Sequence, residues 1–341
     1  TQNNIYTVNI DEATIDKYGQ WPFNRGIYAK IIHELYAHNA GLVVWNVMMP
    51  EADRQGGDTV LADMLTHHPV ILSNTVAEKT KNIPRKPGSA VIGSENIGMI
   101  YNYPGIIANI PQLEQNAVGV GLTYTMPEVD GVNRRLPLFA AYDGGVYPSL
   151  PLEVLRVLAQ DSTFQVKLNA NGVEKMRIPN FRPIATDSQG QIWVDWSQKS
   201  TPVSAVNLPK DFGAAVVIVG TTAAGIANPV PTSLGSIWPQ EMQAAVIGTL
   251  SNNINIERPD WAPGAELLAL VAISLLILFL SRWVYVGLGV GVVLAASLVP
   301  ASMYLFSHYK FLIDAIVPTA GVVLVMLHAC LLYTSPSPRD L

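Results

Sequence analysis

Four carboxylates stand where they could hold a divalent cation: Asp11 and Glu12 close a strand-like run, and Asp53 and Asp58 fall in a later loop. Hard cations want several carboxylate oxygens, and Asp11 with Asp58 would also suit a metal-dependent hydrolase such as a phosphatase. Solvated loop carboxylates are the commoner form of such a group, so neither a metal ligand nor a catalytic residue is assigned. Arg25, Arg134 and Arg135 could clamp an anion, against the plainer reading that they solvate a helix start and a turn. The loop Gly220-Thr221-Thr222-Ala223-Ala224-Gly225 leaves a strand as phosphate-binding turns do, with glycine allowing backbone amides to approach an anion. Ile226-Ala227 follows where a Walker loop has Lys and then Ser or Thr, so no nucleotide-driven activity follows. The six histidines, His33, His38, His67, His68, His308 and His328, lack metalloprotease spacing. With no G-x-S-x-G elbow and the single cysteine, Cys330, in an apolar run, hydrolysis has no identifiable nucleophile.

The elements that must position these groups alternate. Ile5 to Ile10 reads as a buried strand running into a turn at Asp11-Glu12. Tyr18-Gly19-Gln20-Trp21-Pro22-Phe23-Asn24-Arg25 mixes breakers with large aromatics, and Ile27, Ile31, Ile32, Leu35 and Tyr36 then recur at helical spacing. Leu42 to Val47 reads as a second strand, Thr59 to Thr66 as a short helix and Val70 to Ser73 as a third strand. This is the pattern of a largely parallel or mixed sheet with helices on its faces, an α/β fold. From Asn82 to Tyr147 the chain is rich in Gly, Pro and short β-prone runs, with a turn at Val129 to Arg135. A helix over Ser149 to Ala159 follows, then short strands near Phe164 to Leu168, Lys175 to Ile178 and Ile192 to Val194. Ala214 to Val219 is the strongest buried-strand signal, and Pro239 to Asn252 reads as a helix.

Charge divides the chain into two solvents. Of 341 residues 49% are apolar and 14% charged, where a soluble protein has roughly a quarter charged. Residues 1–262 carry nearly all of that charge, whereas Leu267 to Tyr333 holds only Arg282, Lys310 and Asp314. Three runs there, 263–280, 283–306 and 311–333, reach the roughly 20 apolar residues a membrane-crossing helix needs. The links Ser281-Arg282 and Ser307 to Lys310 are so short that the helices must form antiparallel hairpins. Arg282 against Lys310 is a tie, so the positive-inside rule does not orient them. Trp261, Trp283, Tyr285, Tyr304, Tyr309 and Tyr333 sit near the expected interfaces, Pro300 and Pro318 are candidate kinks, and Asp314 reads as the interfacial partner of Lys310. A net charge of -5 without a basic stripe excludes a nucleic-acid surface. A strand pattern begins within four residues of Thr1, so any targeting segment or first anchor is expected outside this stretch.

Several segments together resemble the CHASE type 2 (CHASE2) domain, the extracellular sensor domain associated with bacterial cyclases and histidine kinases. They are Val8 to Thr14, Gly19 to Arg25, Pro50-Glu51-Ala52-Asp53 with Asp58 to Leu61, Asp130 to Pro137, Val217 to Gly225, and Gln240 to Ala245. The resemblance implies an extracytoplasmic domain over 1–262, three transmembrane helices over 263–333, and an inner-membrane receptor working as a homodimer. It also implies a cytoplasmic effector, an adenylate or guanylate cyclase or a kinase; residues 334–341 resemble none and read as the tail of a truncated frame. Asn46 stands where the family usually has an acidic residue, and Gln243 where a histidine is common.

The expected function is therefore the sensory, signal-transducing input region of a membrane receptor, without cofactor or catalytic output of its own. The ligand is an unknown small-molecule or environmental stimulus. Candidate sensing residues are Asp11, Trp21, Arg25, Asp130, Arg134, Arg135, Thr221 and Thr222, since strand-end carboxylates, aromatics and loop arginines are what an α/β crevice offers. The alternatives are the membrane-anchored hydrolase raised above and a dimerisation scaffold.

Overall fold

The computed structural model describes residues 5–93, 98, 100–259, 261–280 and 283–334; the Ser281-Arg282 link and residues 335–341 lie outside the described residues. The chain divides into two compact units, Thr1–Ile254 and Asn255–Leu341.

The first unit opens with β1 (Ile5–Ile10), α1 (Glu12–Tyr18), α2 (Arg25–Ala37), β2 (Leu42–Trp45), α3 (Asp58–His67) and β3 (Val70–Ala77). Next come β4 (Ser89–Gly93), β5 (Gly105–Ile107), α4 (Pro111–Asn116), β6 (Gly119–Leu122), β7 (Arg135–Pro137), β8 (Phe139–Tyr142) and β9 (Gly145–Pro148). After α5 (Leu150–Leu158) the chain forms β10 (Phe164–Asn169), β11 (Gly172–Arg177), β12 (Gln191–Trp193), β13 (Thr201–Ser204) and β14 (Val216–Thr221). The hairpin β15 (Val230–Thr232) and β16 (Gly235–Ile237) leads into α6 (Pro239–Ser251).

The main sheet runs β13-β1-β14-β2-β3, with β6 and β5 both on β3. Every pairing is parallel except that of β5, which runs antiparallel to the end of β3. Buried on both faces, the central strands β2 and β14 are continuous apolar runs rather than alternating ones, whereas the edge strand β13 is half-exposed. Alternation still assigns the faces. Val8, Val43, Trp45, Val70, Leu72, Val217 and Val219 pack with α2, α3 and α4. Ile5, Leu42, Val44, Ile71 and Ile218 pack instead with α5 and α6. The outer sides of α5 and α6, through Leu152, Leu155, Met242 and Val246, support a second core with the β4-β10-β11 and β7-β12 sheets. Helix α6 is buried from Met242 to Leu250 because it has cores on two sides.

The structure extends the sequence reading in places. The turn expected after Glu12 is helix α1, begun by Asp11, whose Oδ1 accepts from the Thr14 amide at 3.0 Å. Strand β14 starts two residues later than the apolar run because Ala214 is left-handed (φ 56°), and it continues through Thr221, paired with Ile10. Strand β3 outlasts Ser73 because Asn74 pairs with β6 and Thr75 to Ala77 with β5. Among the described residues the stretch from Asn82 through Tyr147 holds α4 and the six short strands β4 to β9, of which only β6 joins the parallel sheet and β5 its antiparallel edge.

The second unit contains α7 (Ala262–Leu280), α8 (Val284–Tyr309) and α9 (Ile316–Thr334), each touching the other two. Ile277, Ala295 and Val322 form its small core. Leu268, Leu275, Phe279, Val293, Met303 and Leu324 lie exposed, the reverse of a water-soluble bundle. Among the described residues two helices are long and apolar enough to cross a membrane, Ala262–Leu280 and Tyr285–Tyr309; the described apolar stretch of the third, Ile316–Leu331, is shorter than the expected span. It starts late because residues 310–315 form an extended turn: Lys310 is left-handed (φ 58°) and Phe311 bridges Glu257. Asp314 does not pair with Lys310. Its Oδ1 accepts from the Ile316 amide at 2.8 Å, capping α9, while the Lys310 ammonium lies over the Phe306 ring. Pro300 lies inside α8, but Pro318 falls in the first turn of α9, where a missing amide proton costs little. Glu266, inside a run read as uncharged, pairs with Arg258 at 2.9 Å and accepts from the Asp314 amide at 2.7 Å.

Candidate sensing site

The eight expected sensing residues fall into three groups. Asp11, Thr221 and Thr222 meet at the carboxyl ends of β1 and β14: Thr221 pairs with Ile10, and the Thr222 amide donates to the Ile10 carbonyl at 3.0 Å. Partial burial would raise the Asp11 pKa, but hydrogen bonds from the Thr14 and Ser204 side chains and the Thr14 amide outweigh it and lower it. The loop amides do not stand open for a phosphate, since Glu12 Oε1 already accepts from the Ala224 amide at 2.9 Å.

Trp21 and Arg25 sit at the start of α2. The Trp21 ring packs on Phe23 and Tyr28 at 5.1 and 5.9 Å between centroids, as part of the core. Arg25 is 8% exposed; its amide donates to Asp53 Oδ2 (2.9 Å), its Nη2 to the Glu51 carbonyl (3.2 Å), and its Nε lies 3.6 Å from Asp58 Oδ1. Arg25 therefore ties the 51–58 loop to α2. Asp53 is held below its ordinary pKa: desolvation pushes it up, and the Gln55, Arg25 and Gly57 amides with the Arg25 charge overcome that.

Asp130 and Arg134 lie in the turn before β7, and Arg135 opens that strand. Arg134 chelates Asp130 with bonds of 3.0 and 2.7 Å, which lowers Asp130 to about 2. Arg135 reaches Glu128 at 2.9 Å and Asp187 at 3.3 Å and stacks over Trp193. All three arginines are neutralised within the chain, so they form no open anion clamp. The carboxylates considered for a cation are likewise occupied, and among the described residues no group of three or more His, Cys, Asp or Glu is placed to hold a metal ion.

A different set converges on the edge of the sheet. The connections from β1 and β2 pass to the α2 face, whereas β14, between them, leads to α6 on the other face. Such reversals are where open α/β sheets take ligands, outside the carboxyl ends of the strands. On the α6 face of that edge the register aligns Asn9 with Gly220, and one residue past the paired Val219-Trp45 and Trp45-Leu72 places Asn46 and Ser73 on the same row. Helix α6 closes over this row. Gln240 Nε2 donates to Asn9 Oδ1 at 2.8 Å, and Gln243 Nε2 donates to Thr123 Oγ1, just past β6, at 3.2 Å. Glycine permits the approach of α6, since a Cβ on Gly220 would lie 2.5 Å from Gln240 Oε1; a Cβ on Gly121 would likewise lie 2.5 Å from the Leu150 Cα at the start of α5.

Three polar atoms at this closure, Gln240 Oε1, Gln243 Oε1 and Ser73 Oγ, are buried without a partner. Their residues are 0, 1 and 0% exposed, whereas Asn9, Asn46 and Thr123 are half-buried. The far end of α6 is fixed by Arg182, which donates to the Leu250 and Ser251 carbonyls. Of this set only Asn46 and Gln243 drew attention in the sequence, as departures from the CHASE2 pattern. The available signal was a polar residue inside or just after a buried strand: Asn9 between Val8 and Ile10, and Ser73 after Val70-Ile71-Leu72.

A comparison with protein-family models matches the CHASE2 domain over residues 1–279, which takes in the whole first unit and nearly all of α7. No curated protein and no solved structure matches the chain. With more than half of its length matched, and an α/β unit where the resemblance places the sensor, the chain belongs to the CHASE2 family of extracellular sensor domains.

Proposed function

We propose that this chain is the input region of a bacterial inner-membrane receptor, sensing at the carboxyl edge of its parallel sheet and signalling through α6. In this reading the α/β unit is periplasmic and α7, α8 and α9 all cross the membrane. Two copies pair, and a cytoplasmic cyclase or kinase receives the signal. The carrying observation is that one helix touches both ends of the task. Its first turn rests on β1 and β6 through Gln240 and Gln243, and its last residue, Ser251, is joined by residues 252–261 to α7. A stimulus acts only by binding two arrangements of α6 unequally, and a buried polar contact at the helix start is a place where two arrangements would differ.

The test uses the full-length receptor in membranes, with effector turnover as the readout. Gly220→Ala wedges a methyl group against Gln240 and is expected to shift basal output at least severalfold, while Gln240→Met, which keeps side-chain length, gives a second and milder perturbation. Unchanged output in both, with normal membrane levels, would leave a dimerisation scaffold as the better reading.

A further inference from the structure

We infer that the closure between the sheet edge and the first turn of α6 takes a small neutral ligand rich in hydroxyl groups, a sugar or polyol. The inference rests on the sensory reading and supplies its ligand class.

An unmet buried polar atom is costly, and native proteins leave few of them. Here three lie on the row at the sheet edge or on the start of α6 that covers it, on side chains no more than 1% exposed. Two belong to carboxamides. Turning either amide over exchanges the end that is unmet, oxygen for nitrogen, but leaves one end unmet. A hydroxyl group both donates and accepts, so it serves either orientation, and it also serves the Ser73 hydroxyl.

Charge argues against an ion. Asn9, Asn46, Ser73, Thr123, Gln240 and Gln243 are all neutral, and a buried ion without a counter-charge is costly. Asp11 and Glu12, the carboxylates at the same edge, are held by Thr14 and by the Ala224 amide. The positive end of α6 would favour an anion, but the Glu241 carboxylate already occupies it, accepting from the Trp238 amide at 2.9 Å. Asn9, Asn46 and Thr123, on the same edge, are half-buried, so the polar row is not sealed along its whole length.

The test is thermal unfolding of the whole chain in lipid nanodiscs. The neutral probes are D-glucose, D-ribose, myo-inositol and trehalose; inorganic phosphate, acetate and putrescine serve as charged controls. At least one neutral probe is expected to raise the melting temperature. Gln243→Leu and Ser73→Ala should abolish that rise, or weaken the affinity about tenfold or more, while melting no lower than the wild type without ligand. No response to any neutral probe, or an equal response in the variants, overturns the proposal and leaves ordered water as the occupant. A variant-sensitive response to phosphate, acetate or putrescine overturns the ligand class while sparing the sensory reading, whose own failure is read separately from effector output.

Discussion

The carboxamide of Gln240, in the first turn of α6, donates to the Asn9 side chain on β1 at 2.8 Å, joining residues 231 positions apart. No local signal announces this bond, yet it fixes α6 to the strand that opens the domain. Gln240→Ala is expected to lower stability by about 1–3 kcal/mol, through the lost bond and the space left behind. Melting curves should fall by about 2–4 °C for each kcal/mol in a domain of this size. Gln240→Met, which also removes the unmet oxygen, should cost less than Gln240→Ala.

Arg25 makes the opposite case, a candidate sensing residue whose contacts are all internal. Arg25→Ala leaves Asp58 beneath the 51–58 loop without its counter-charge and is expected to cost roughly 3 kcal/mol. Chemical denaturation of the purified chain checks this. A variant of wild-type stability with altered signalling would instead return Arg25 to the sensing set.

Glu114 is buried on α4, where its oxygens accept from Asn74 Nδ2 (2.7 Å), the Asn109 amide (3.1 Å) and the Arg85 amide (2.6 Å). Glu114→Ala leaves these donors unmet and should cost about 3–5 kcal/mol. Burial raises its pKa, against the lowering effect of those bonds. A raised folded pKa means that its pH-linked contribution is full below the ordinary glutamate value and declines as pH rises through the folded value. The wild type should lose stability relative to Glu114→Ala over that interval.

Asp130 has the reverse sign. Its folded pKa, about 2, lies below its ordinary 3.8 because of the Arg134 hydrogen bonds. Its contribution is complete above the ordinary value and disappears as pH falls through about 2. The pair is exposed, so Asp130→Asn should lower the melting temperature at neutral pH only slightly, and that small difference should vanish as pH falls through about 2.

In the second unit, Glu266→Ala removes the acceptor of the Asp314 amide and the partner of Arg258. Hydrogen exchange at the Asp314 amide should quicken about tenfold, the loss of roughly one hydrogen bond. Unchanged protection there would mean that water or another group replaces the carboxylate.

The buried strands and larger helices of the α/β unit are readable from local pattern. The apolar run that ends at Val219 and the helical periodicity of Ile27 to Tyr36 depend only on near neighbours. The site is not readable in that way, because it depends on pairing between distant strands. β14 enters between β1 and β2 although nearly the whole unit separates it from them in sequence, and only that insertion brings Gly220 beside Asn9. The eight expected residues were chosen for reactive chemistry, and the fold uses much of that chemistry for its own ties. Asp11 caps a helix, and Arg25, Arg134 and Arg135 answer neighbouring carboxylates. The neutral amides that line the sheet edge carry no signature in composition or charge.

The bridge between Glu257 and Phe311 makes a mechanical division. The Glu257 amide donates to the Lys310 carbonyl, the Leu312 amide returns to the Glu257 carbonyl, and Arg258 grips Glu266 one turn into α7. A pull arriving along residues 252–256 is therefore shared between α7 and the hinge of the other two helices before any helix can slide by itself. Such a yoke suits torque better than piston travel: the three helices would turn together rather than slide past one another.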